Sequence, residues 1–457
     1  LSVSFDLRDH AAYDEKTASY VLEKGGYVVM AGSNSNDVSP AAVVKLGSDF
    51  TVLKAGRLFG GADFSDLRSP GTRVFDLSGV PVYEADLSQW EPYKMSAPET
   101  PDAGPVADLT EKELALMNIG DFQDRGTSLA AVIGQSAQSV AGAAGESCTK
   151  LKDKGIQNLI MADGPAGVRI SRRYYEDSKG RHAIGSTMPE TMLEMLPTVL
   201  KMILDREPKA KPGRVFKEQY CTAIPIATAI AQSWNTAFAE LCGDIVGREM
   251  EIFGIDLWLA PALNIHRNVL CGRNFEYYSE DPVISGKFAA AITRGVQKHP
   301  GCGVTIKHYA ANNQETNRYA NNSIVSERAL REIYLKGFGI CIRESDPASV
   351  MTSYNLLNGG HTSESRELTE VLRKEFGFDG VIMTDWVIGG DSLLSKNSKY
   401  GVPDPAKVAA AGCSLFMPGN RNDYKRMVEG LGDGTVSSDQ LRENAAWLLH
   451  VIGRLNK

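Results

Sequence analysis

The chain has 457 residues, which is more than one ordinary domain needs. It is 43% hydrophobic and 23% charged, a composition typical of a soluble protein with a large core. The net charge of −7 argues against nucleic acid or an anionic membrane as a main partner, and no apolar run is long enough to span a membrane. The seven cysteines are dispersed without a C-x-x-C pair, which predicts reduced thiols in a cytoplasmic protein.

The first 46 residues contain short runs that are typical of β-strands. Apolar residues alternate over 3–7, and two further runs occupy 27–30 and 42–46. Three strands are too few for a β-sandwich, which needs about seven. They either pack on the larger domain or complete a sandwich whose first half lies elsewhere, and we favour the second interpretation.

Residues 47–107 read as a connector, because glycine and proline clusters interrupt every longer pattern. A new domain begins near residue 108, where Thr110 and Glu113 predict a helix-capping box. Six apolar runs then follow, separated in several places by amphipathic helical patterns: 159–162, 257–260, 303–306, 350–352, 381–383 and 414–417. Buried strands alternating with helices indicate parallel βα units, so we expect an α/β fold with a TIM-like (β/α)8 barrel over 108–457.

One insertion breaks this alternation. Residues 171–220 are too many for a plain βα loop, and residues 188–204 within them have a helix-like pattern. The insertion follows the first strand, so it is either a lid or subsite wall over the barrel mouth or a peripheral packing element.

Polar residues follow the apolar runs where each predicted strand ends. They are Asp163 and Arg169, Arg273, Lys307 and His308, Tyr354, and Asp385 with Trp386. Taken singly, such an aspartate is more often a helix cap, and such a lysine or histidine an ion-pair or core residue. A barrel core needs no ring of charged groups at one end, so together they predict a site at the mouth of the barrel.

This set of side chains suits a sugar. Sugar hydroxyls both donate and accept hydrogen bonds, so carboxylates and cations can hold them in one orientation. We expect Arg273, Lys307 and Arg169 to keep the Asp385 carboxylate ionised, as a nucleophile requires. A retaining glycosidase needs a second carboxyl group about 5–5.5 Å away, and it needs neither a metal nor a cofactor.

These residues resemble glycoside hydrolase family 3, the β-glucosidase type. The resemblance covers roughly residues 108–420 and is specific because its motifs occur in one order. The motifs are 163–169 (DGPAGVR), 272–282 (GRNFEYYSEDP), 307–315 (KHYAANNQE), 326–335 (SERALREIYL), 353–355 (SYN), 377–386 (GFDGVIMTDW) and 411–419 (AGCSLFMPG). The hexosaminidase branch of the family carries a longer Gly/His motif after its Lys-His strand, and this chain departs from it there.

The resemblance implies a retaining exo-β-glycosidase that hydrolyses terminal, non-reducing β-linked sugars. Asp385 would be the nucleophile that forms the glycosyl-enzyme, and Trp386 would pack against the sugar. The residues expected to bind the hydroxyls of that sugar are Asp163, Arg169, Arg273, Lys307, His308 and Tyr354. The expected substrate is a β-glucoside or an oligosaccharide.

The first 46 residues resemble the C-terminal part of the fibronectin III-like domain that these enzymes carry. The order here matches the permuted members, in which an α/β sandwich and the fibronectin-like domain precede the barrel. The family's acid/base glutamate normally comes from that α/β sandwich, so the resemblance implies a longer enzyme whose missing N-terminal half supplies it. Within this chain, Glu276, Glu280 and Glu315 are the acid/base candidates, although loop-holding ion pairs explain them better.

Two other classes of function remain as alternatives. The first is a barrel that binds sugar without catalysis. The second is a lyase or aldolase, in which Lys307 forms a Schiff base with a carbonyl substrate. Neighbouring arginine and aspartate groups would keep that lysine protonated and argue against this use. A homo-oligomer is compatible with the sequence.

Overall fold

The computed structural model describes residues 3–58, 74–122, 139–178, 180–185, 198, 202, 209–386, 388 and 399–455. The chain forms two compact units. The first comprises Leu1–Ser96 with Val325–Glu332, and the second Ala97–Ile324 with Ile333–Lys457. Within the described ranges, no helix has both the length and the apolar character needed to cross a membrane.

The first unit contains two three-stranded sheets. Their strands are β1 (Ala12–Asp14), β2 (Ser19–Leu22), β3 (Gly25–Asn34), β4 (Asp37–Leu46), β5 (Phe50–Lys54) and β6 (Val82–Glu84). The orders are β1-β2-β5, which is antiparallel, and β3-β4-β6, in which β6 runs parallel to β4. Their apolar residues meet in a small core around Leu22, Leu46 and Val52.

The sequence prediction for the first unit holds in part. Strands β3 and β4 include the apolar runs at 27–30 and 42–46. The alternation at 3–7 was wrongly interpreted as a strand, because Leu7–His10 forms a 3₁₀ turn whose first residues are capped by the Asp6 carboxylate. The segment 47–107, expected as a connector, contributes β5 and β6, since both are hydrogen-bonded into the sheets of this unit.

The second unit is an α/β structure around a six-stranded sheet. Its strands are β7 (Gly145–Glu146), β8 (Ile160–Ala162), β12 (Leu257–Trp258), β13 (Gly303–Tyr309), β15 (Ser349–Thr352) and β18 (Val381–Met383), in the order β18-β15-β13-β12-β8-β7. All neighbours are parallel except β7 and β8. The apolar runs predicted from the sequence supply these parallel strands, and their side chains are almost all buried.

Hydrogen bonds continue beyond both outer strands of this sheet. Leu415 bridges Met383 of β18 in parallel, and Phe416 bridges Ile119. The Asp121 amide then donates to the carbonyl of Glu146 in β7 at 2.8 Å. Two short segments of chain therefore connect one outer strand of the sheet to the other.

Helices follow most of the strands. They are α1 (Glu111–Met117), α2 (Ala227–Gln232), α3 (Thr236–Phe253), α4 (Pro282–Gln297), α5 (Glu327–Ala329), α6 (Lys336–Ser345), α7 (Arg366–Glu370), α8 (Pro405–Ala410), α9 (Arg421–Asp433) and α10 (Ser438–Leu455). π-helical turns at Leu330–Tyr334 and Val371–Glu375 extend α5 and α7. The capping box predicted at Thr110 and Glu113 forms at the start of α1.

The insertion at 171–220 contains a three-stranded antiparallel sheet. Its strands are β9 (Arg173–Asp177), β10 (Gly180–Ile184) and β11 (Val215–Glu218), in the order β10-β9-β11. The helix-like stretch predicted at 188–204 lies outside the described residues except for 198 and 202. Three short strands, β14 (Asn322–Ser323), β16 (Leu356–Leu357) and β17 (Gly360–His361), form a further small sheet.

Candidate active site

The parallel strands place the predicted site residues at one edge of the sheet. Asp163 follows β8, Lys307 and His308 lie near the end of β13, and Asp385 follows β18 by one residue. Because the carboxyl ends of parallel strands meet at the same edge, these side chains converge although 222 residues separate the first from the last. The contacts between them define the site.

Asp163 is held by two cations. Its Oδ1 accepts a hydrogen bond from Lys307 Nζ at 2.9 Å, and its Oδ2 pairs with the Arg169 guanidinium. Burial opposes ionisation, but Lys307 and Arg169 lower the pKa of this carboxyl well below its ordinary value. Lys307 therefore faces a carboxylate, which argues against the Schiff-base alternative because a paired ammonium is a poor nucleophile.

Arg273 reaches the same edge from the loop after β12. Its Nε pairs with the buried carboxylate of Glu276, and its Nη2 lies 2.7 Å from His308 Nε2. A guanidinium only donates hydrogen bonds, so Nε2 of His308 must be the acceptor in this contact. Glu276 therefore balances the charge of Arg273 at Nε, and the N–H at Nη2 requires Nε2 of His308 to be unprotonated.

His308 is buried and neutral. Burial, followed by the charges of Arg273 and Lys307, lowers its pKa well below the ordinary value. Asn264 accepts from the His308 main-chain N–H at 2.8 Å and lies 3.4 Å from Nδ1, while its amide donates to the His308 carbonyl at 2.9 Å. The imidazole proton therefore belongs on Nδ1, and Nε2 presents a lone pair.

Asp385 presents one free carboxylate oxygen. Its Oδ1 accepts from the main-chain N–H of Trp386 at 2.7 Å. Its Oδ2 is buried and has no hydrogen-bond partner among the described residues, and His308 Nε2 lies 3.7 Å away. A buried oxygen without a hydrogen-bond partner is costly, so Oδ2 is an acceptor available to a group outside the described residues.

Burial raises the pKa of Asp385, and Arg273, Lys307 and Arg318 oppose that rise. Desolvation is therefore the largest effect on the pKa of this carboxyl, while Arg273 and Lys307 favour its ionised form in the predicted direction. Arg318, rather than Arg169, joins Arg273 and Lys307 among the cations that act most strongly on it.

Two aromatic residues lie close to Asp385. Trp386 is 2% exposed, and its indole N–H donates to the Ala144 carbonyl at 3.0 Å. This hydrogen bond fixes the orientation of the indole ring. Tyr354 is 7% exposed, and burial together with the charge of Asp385 raises the pKa of its phenol well above the ordinary value. Both aromatic side chains therefore stay in place and neutral beside the carboxylate.

Sequence reasoning did not identify Arg318 and Tyr319 as site residues. The Arg318 guanidinium lies 4.4 Å from the centre of the Tyr354 ring and 5.2 Å from that of Tyr319, and the two rings meet edge to face at 4.9 Å. Neither residue ends a strand, because both lie in the loop between β13 and β14. The sequence carries no periodic signal for them, and only the path of this loop brings them to Tyr354.

Of the three in-chain acid/base candidates, two are paired with arginines and one is exposed. Glu276 is paired with Arg273, and Glu315 accepts from Arg318 at 3.1 Å and from Asn312 at 3.2 Å. Glu280 is exposed in the turn before α4. The contacts of Glu276 and Glu315 agree with the interpretation that they hold loops through hydrogen bonds and ion pairs.

Potential metal ligands are not gathered in the described part of the chain. No three of its histidine, cysteine, aspartate and glutamate side chains are arranged to hold a metal ion. All seven cysteines are free thiols. The described site therefore consists of carboxylates, cations and aromatic rings.

The fold of the chain is similar to that of solved structures. The chain superposes on β-glucosidase 3B of Thermotoga neapolitana in complex with glucose, with a TM-score of 0.60 and 36% identity over 77% of this chain and 42% of that one. It also superposes on a β-glucosidase of Paenibacillus barengoltzii, with a TM-score of 0.71 and 28% identity over 98% of this chain and 47% of that one.

Curated relatives agree with the structures. β-Glucosidase A of Butyrivibrio fibrisolvens is 40% identical over 237 residues, which are 52% of this chain and 23% of that protein. β-Glucosidase B of Emericella nidulans is 40% identical over 254 residues, or 54% of this chain and 28% of that protein. The chain thus spans about a quarter of the length of these relatives. The model of the glycosyl hydrolase family 3 N terminal domain matches residues 138–451, and the chain belongs to this family.

Proposed function

We propose that this chain carries the nucleophile and the sugar-binding site of a retaining exo-β-glycosidase of the β-glucosidase type. The observation that carries the proposal is the Asp385 carboxylate, with one oxygen fixed by Trp386 N–H and the other buried and unpartnered among the described residues. The relatives and solved structures named β-glucosidases support the choice of substrate class. The proposed substrate is a terminal, non-reducing β-glucoside or a short oligosaccharide.

In the first step, Asp385 Oδ2 attacks the anomeric carbon, the bond to the leaving oxygen breaks, and a glycosyl-enzyme forms. Water then cleaves this ester and releases the sugar with its original anomeric configuration. Arg273 and Lys307 favour the ionised carboxylate that this attack requires, and Arg318 adds to their effect. His308 remains neutral, so it does not form an ion pair with the Asp385 carboxylate.

Six residues would orient the sugar. Asp163, fixed between two cations, can accept hydrogen bonds from two adjacent hydroxyls without changing its protonation. Lys307 and the neighbouring guanidinium groups donate, and Nε2 of His308 can accept. The proposed hydroxyl-binding set is Asp163, Arg169, Arg273, Lys307, His308 and Tyr354, with Trp386 as the apolar wall.

The acid/base carboxyl is proposed to come from a segment outside these residues. Leaving-group protonation needs a carboxyl that can gain and lose a proton within reach of the glycosidic oxygen. Glu276 and Glu315 are committed to Arg273 and Arg318, so neither is suited to this exchange. The chain also spans only part of its relatives, and the remaining length is available in them for such a segment.

The finer features of the fold belong to the same proposal. We propose that the sheet and the segments at 118–121 and 415–416 are a TIM-like barrel within 108–457. We also propose that the first unit is part of a fibronectin III-like sandwich, and the match over 98% of this chain to the Paenibacillus enzyme supports a shared architecture for it. The dispersed free thiols support a reducing, cytoplasmic compartment.

The proposal is tested by trapping the nucleophile. 2,4-Dinitrophenyl 2-deoxy-2-fluoro-β-D-glucopyranoside carries a leaving group that departs without an acid, so the missing carboxyl does not limit the reaction. We expect mass spectrometry to find one fluoroglucosyl group, located on Asp385 by peptide sequencing.

The control is Asp385→Asn, which keeps the shape of the side chain but removes the nucleophilic charge. Wild-type labelling at Asp385 and none in this variant would support the assignment. Binding of glucose by calorimetry without any labelling would favour the sugar-binding alternative, and labelling at another carboxylate would overturn the role of Asp385.

A further inference from the structure

The proposed nucleophile is surrounded by cations, yet none of them forms an ion pair with it. Arg273, Lys307 and Arg318 all lie close enough to favour the charged form of Asp385. Among the described lysine, arginine and histidine side chains, neutral His308 alone lies within ion-pair distance of its carboxylate, at 3.7 Å. A buried carboxylate is ordinarily paired with a cation. The contacts of the cations themselves explain why Oδ2 has no partner among the described residues.

Both arginines are paired with a glutamate of their own. Arg273 Nε pairs with Glu276, and Arg318 Nη1 lies 3.1 Å from Glu315 Oε2. In each case the partners are three positions apart, and a main-chain hydrogen bond closes the turn between them. The Glu276 N–H donates to the Arg273 carbonyl at 3.1 Å, and the Arg318 N–H donates to the Glu315 carbonyl at 3.2 Å. Each ion pair is therefore built into one short turn of the chain.

Other contacts complete the surroundings of the two guanidinium groups. Arg273 Nη2 lies 2.7 Å from His308 Nε2, and the Arg318 guanidinium lies 4.4 Å from the centre of the Tyr354 ring. Both arginine side chains are mostly buried, so water cannot fully replace a lost carboxylate. A buried guanidinium without its counter-charge is costly, and Asp385 Oδ2 is a buried acceptor that could take it.

We propose that Glu276 and Glu315 are positioning residues: each holds its arginine in a separate ion pair, so that neither guanidinium closes on Asp385 Oδ2. The arginines then favour the charged carboxylate from a distance, while the attacking oxygen stays available to the anomeric carbon. Asp163 holds Lys307 in the same way, in addition to its proposed contact with the sugar. Neither glutamate touches the sugar or the reacting atoms. The inference rests on the proposed glycosidase function, because it names what keeps the nucleophile of that reaction unpaired.

Glu315→Gln tests the proposal, because it keeps the size of the side chain and removes the charge that holds Arg318. Trapping by the fluoroglucoside is followed against probe concentration in the 457-residue chain, which separates the dissociation constant from the limiting rate. We expect the limiting rate to fall about 10-fold or more, because an ion pair between Arg318 and Asp385 occupies the attacking oxygen. Glu276→Gln should lower the limiting rate in the same way through Arg273.

A double variant distinguishes this mechanism from a simple loss of local structure. Glu315→Gln combined with Arg318→Gln removes the guanidinium that would pair with Asp385, so the limiting rate should recover at least in part from its value in Glu315→Gln alone. A crystal structure of Glu315→Gln gives a readout that does not depend on activity. We expect a nitrogen of Arg318 to lie at hydrogen-bond distance from Asp385 Oδ2 in that structure.

The matched control is Glu370→Gln. It removes the same charge from exposed ion pairs with Arg366 and Lys374, each four positions away. Both the limiting rate and the dissociation constant should stay near their wild-type values in this variant. A loss equal to that in Glu315→Gln would show that the effect is not specific to the glutamates beside the nucleophile.

The possible outcomes separate the two proposals. Wild-type limiting rates in both Glu276→Gln and Glu315→Gln, each shown to be folded by circular dichroism, would overturn the positioning role. A double variant no faster than Glu315→Gln, or a crystal structure in which Arg318 keeps its place, would also overturn it. A wild-type chain that is not labelled at all would defeat the glycosidase proposal, and the crystal structure would still decide whether Arg318 turns towards Asp385.

Discussion

Asn264 brackets the main chain of His308 on both sides: its amide donates to the His308 carbonyl at 2.9 Å, and its oxygen accepts from the His308 N–H at 2.8 Å. Both residues are buried. Asn264 therefore holds the main chain that places the His308 imidazole between Arg273 and Asp385, although Asn264 belongs to a different loop.

Asn264→Ala should destabilise the chain and weaken the site. It leaves two buried main-chain groups unpaired, and each costs about 1–3 kcal/mol. Urea unfolding should show the loss of stability, and trapping of Asp385 should slow at the same time. The control Asn268→Ala changes an exposed turn in the same loop and should leave trapping near the wild-type rate; equal losses in the two variants would contradict the assignment to His308.

Asp163→Asn should weaken sugar binding more than it weakens folding. The change leaves Lys307 and Arg169 without their carboxylate, and it removes a charged acceptor whose hydrogen bonds are worth about 1.5–3 kcal/mol each. Glucose affinity measured by calorimetry should fall about 10-fold or more. Unchanged affinity in the folded variant would remove Asp163 from the hydroxyl-binding set.

Turnover should depend strongly on the leaving group. A site that lacks its acid loses about 10²–10⁴-fold in rate on substrates that need leaving-group protonation. The chain should therefore release 2,4-dinitrophenol from its β-glucoside far faster than methanol from methyl β-glucoside, and azide should accelerate turnover of the former. Efficient hydrolysis of both substrates would instead direct attention to Glu276, Glu280 and Glu315.

Asp256→Asn should stabilise the chain above about pH 6. Burial raises the pKa of Asp256 from 3.8 to about 6, while its Oδ2 accepts from the Ile160 N–H at 2.7 Å. A raised folded-state pKa favours the protonated form, so this group supports folding at low pH and loses that contribution as pH rises from about 4 to 6.

The asparagine variant keeps an acceptor for Ile160 without a buried charge. Urea unfolding across pH 4–8 should show that the free energy of unfolding of this variant is about 1–3 kcal/mol above that of the wild type at neutral pH. Near pH 4 the two free energies should be close. Asp153→Asn, in an exposed turn, serves as the control. A constant difference at every pH would show that charge burial is not the cause.

Arg373→Lys should cost stability and leave the site intact. The Arg373 guanidinium donates to the Phe378 and Gly380 carbonyls at 2.8 Å each and lies 3.9 Å from the centre of the Trp447 ring. Lysine has no planar guanidinium to lie against the Trp447 ring while donating to both carbonyls, so we expect a loss of about 1–3 kcal/mol in thermal or urea unfolding. Trapping per folded molecule should be unchanged, since these contacts lie before β18 and Asp385 follows it; Lys374→Gln is the exposed control.

The site was partly predictable because of how strands end. Asp163, Lys307 and Asp385 each adjoin an apolar run, and parallel strands carry the ends of such runs to one edge of a sheet. Arg318 and Tyr319 could not be found in this way, because they lie in an irregular loop. The sequence also could not show whether each acid/base candidate is paired with an arginine. Such a pair depends on where the two side chains point in the folded structure.

The amino-acid sequence by itself determined the apolar runs that become strands, the capping of α1 and the motifs that identify the family. These features depend on residues close together in the chain. Only the tertiary structure decided that desolvation outweighs the cations around Asp385, because burial is a sum over atoms from many segments. It also decided that residues 325–332 belong with the first unit, since Glu327 and Tyr13 meet across 314 positions and local patterns carry no information at that separation.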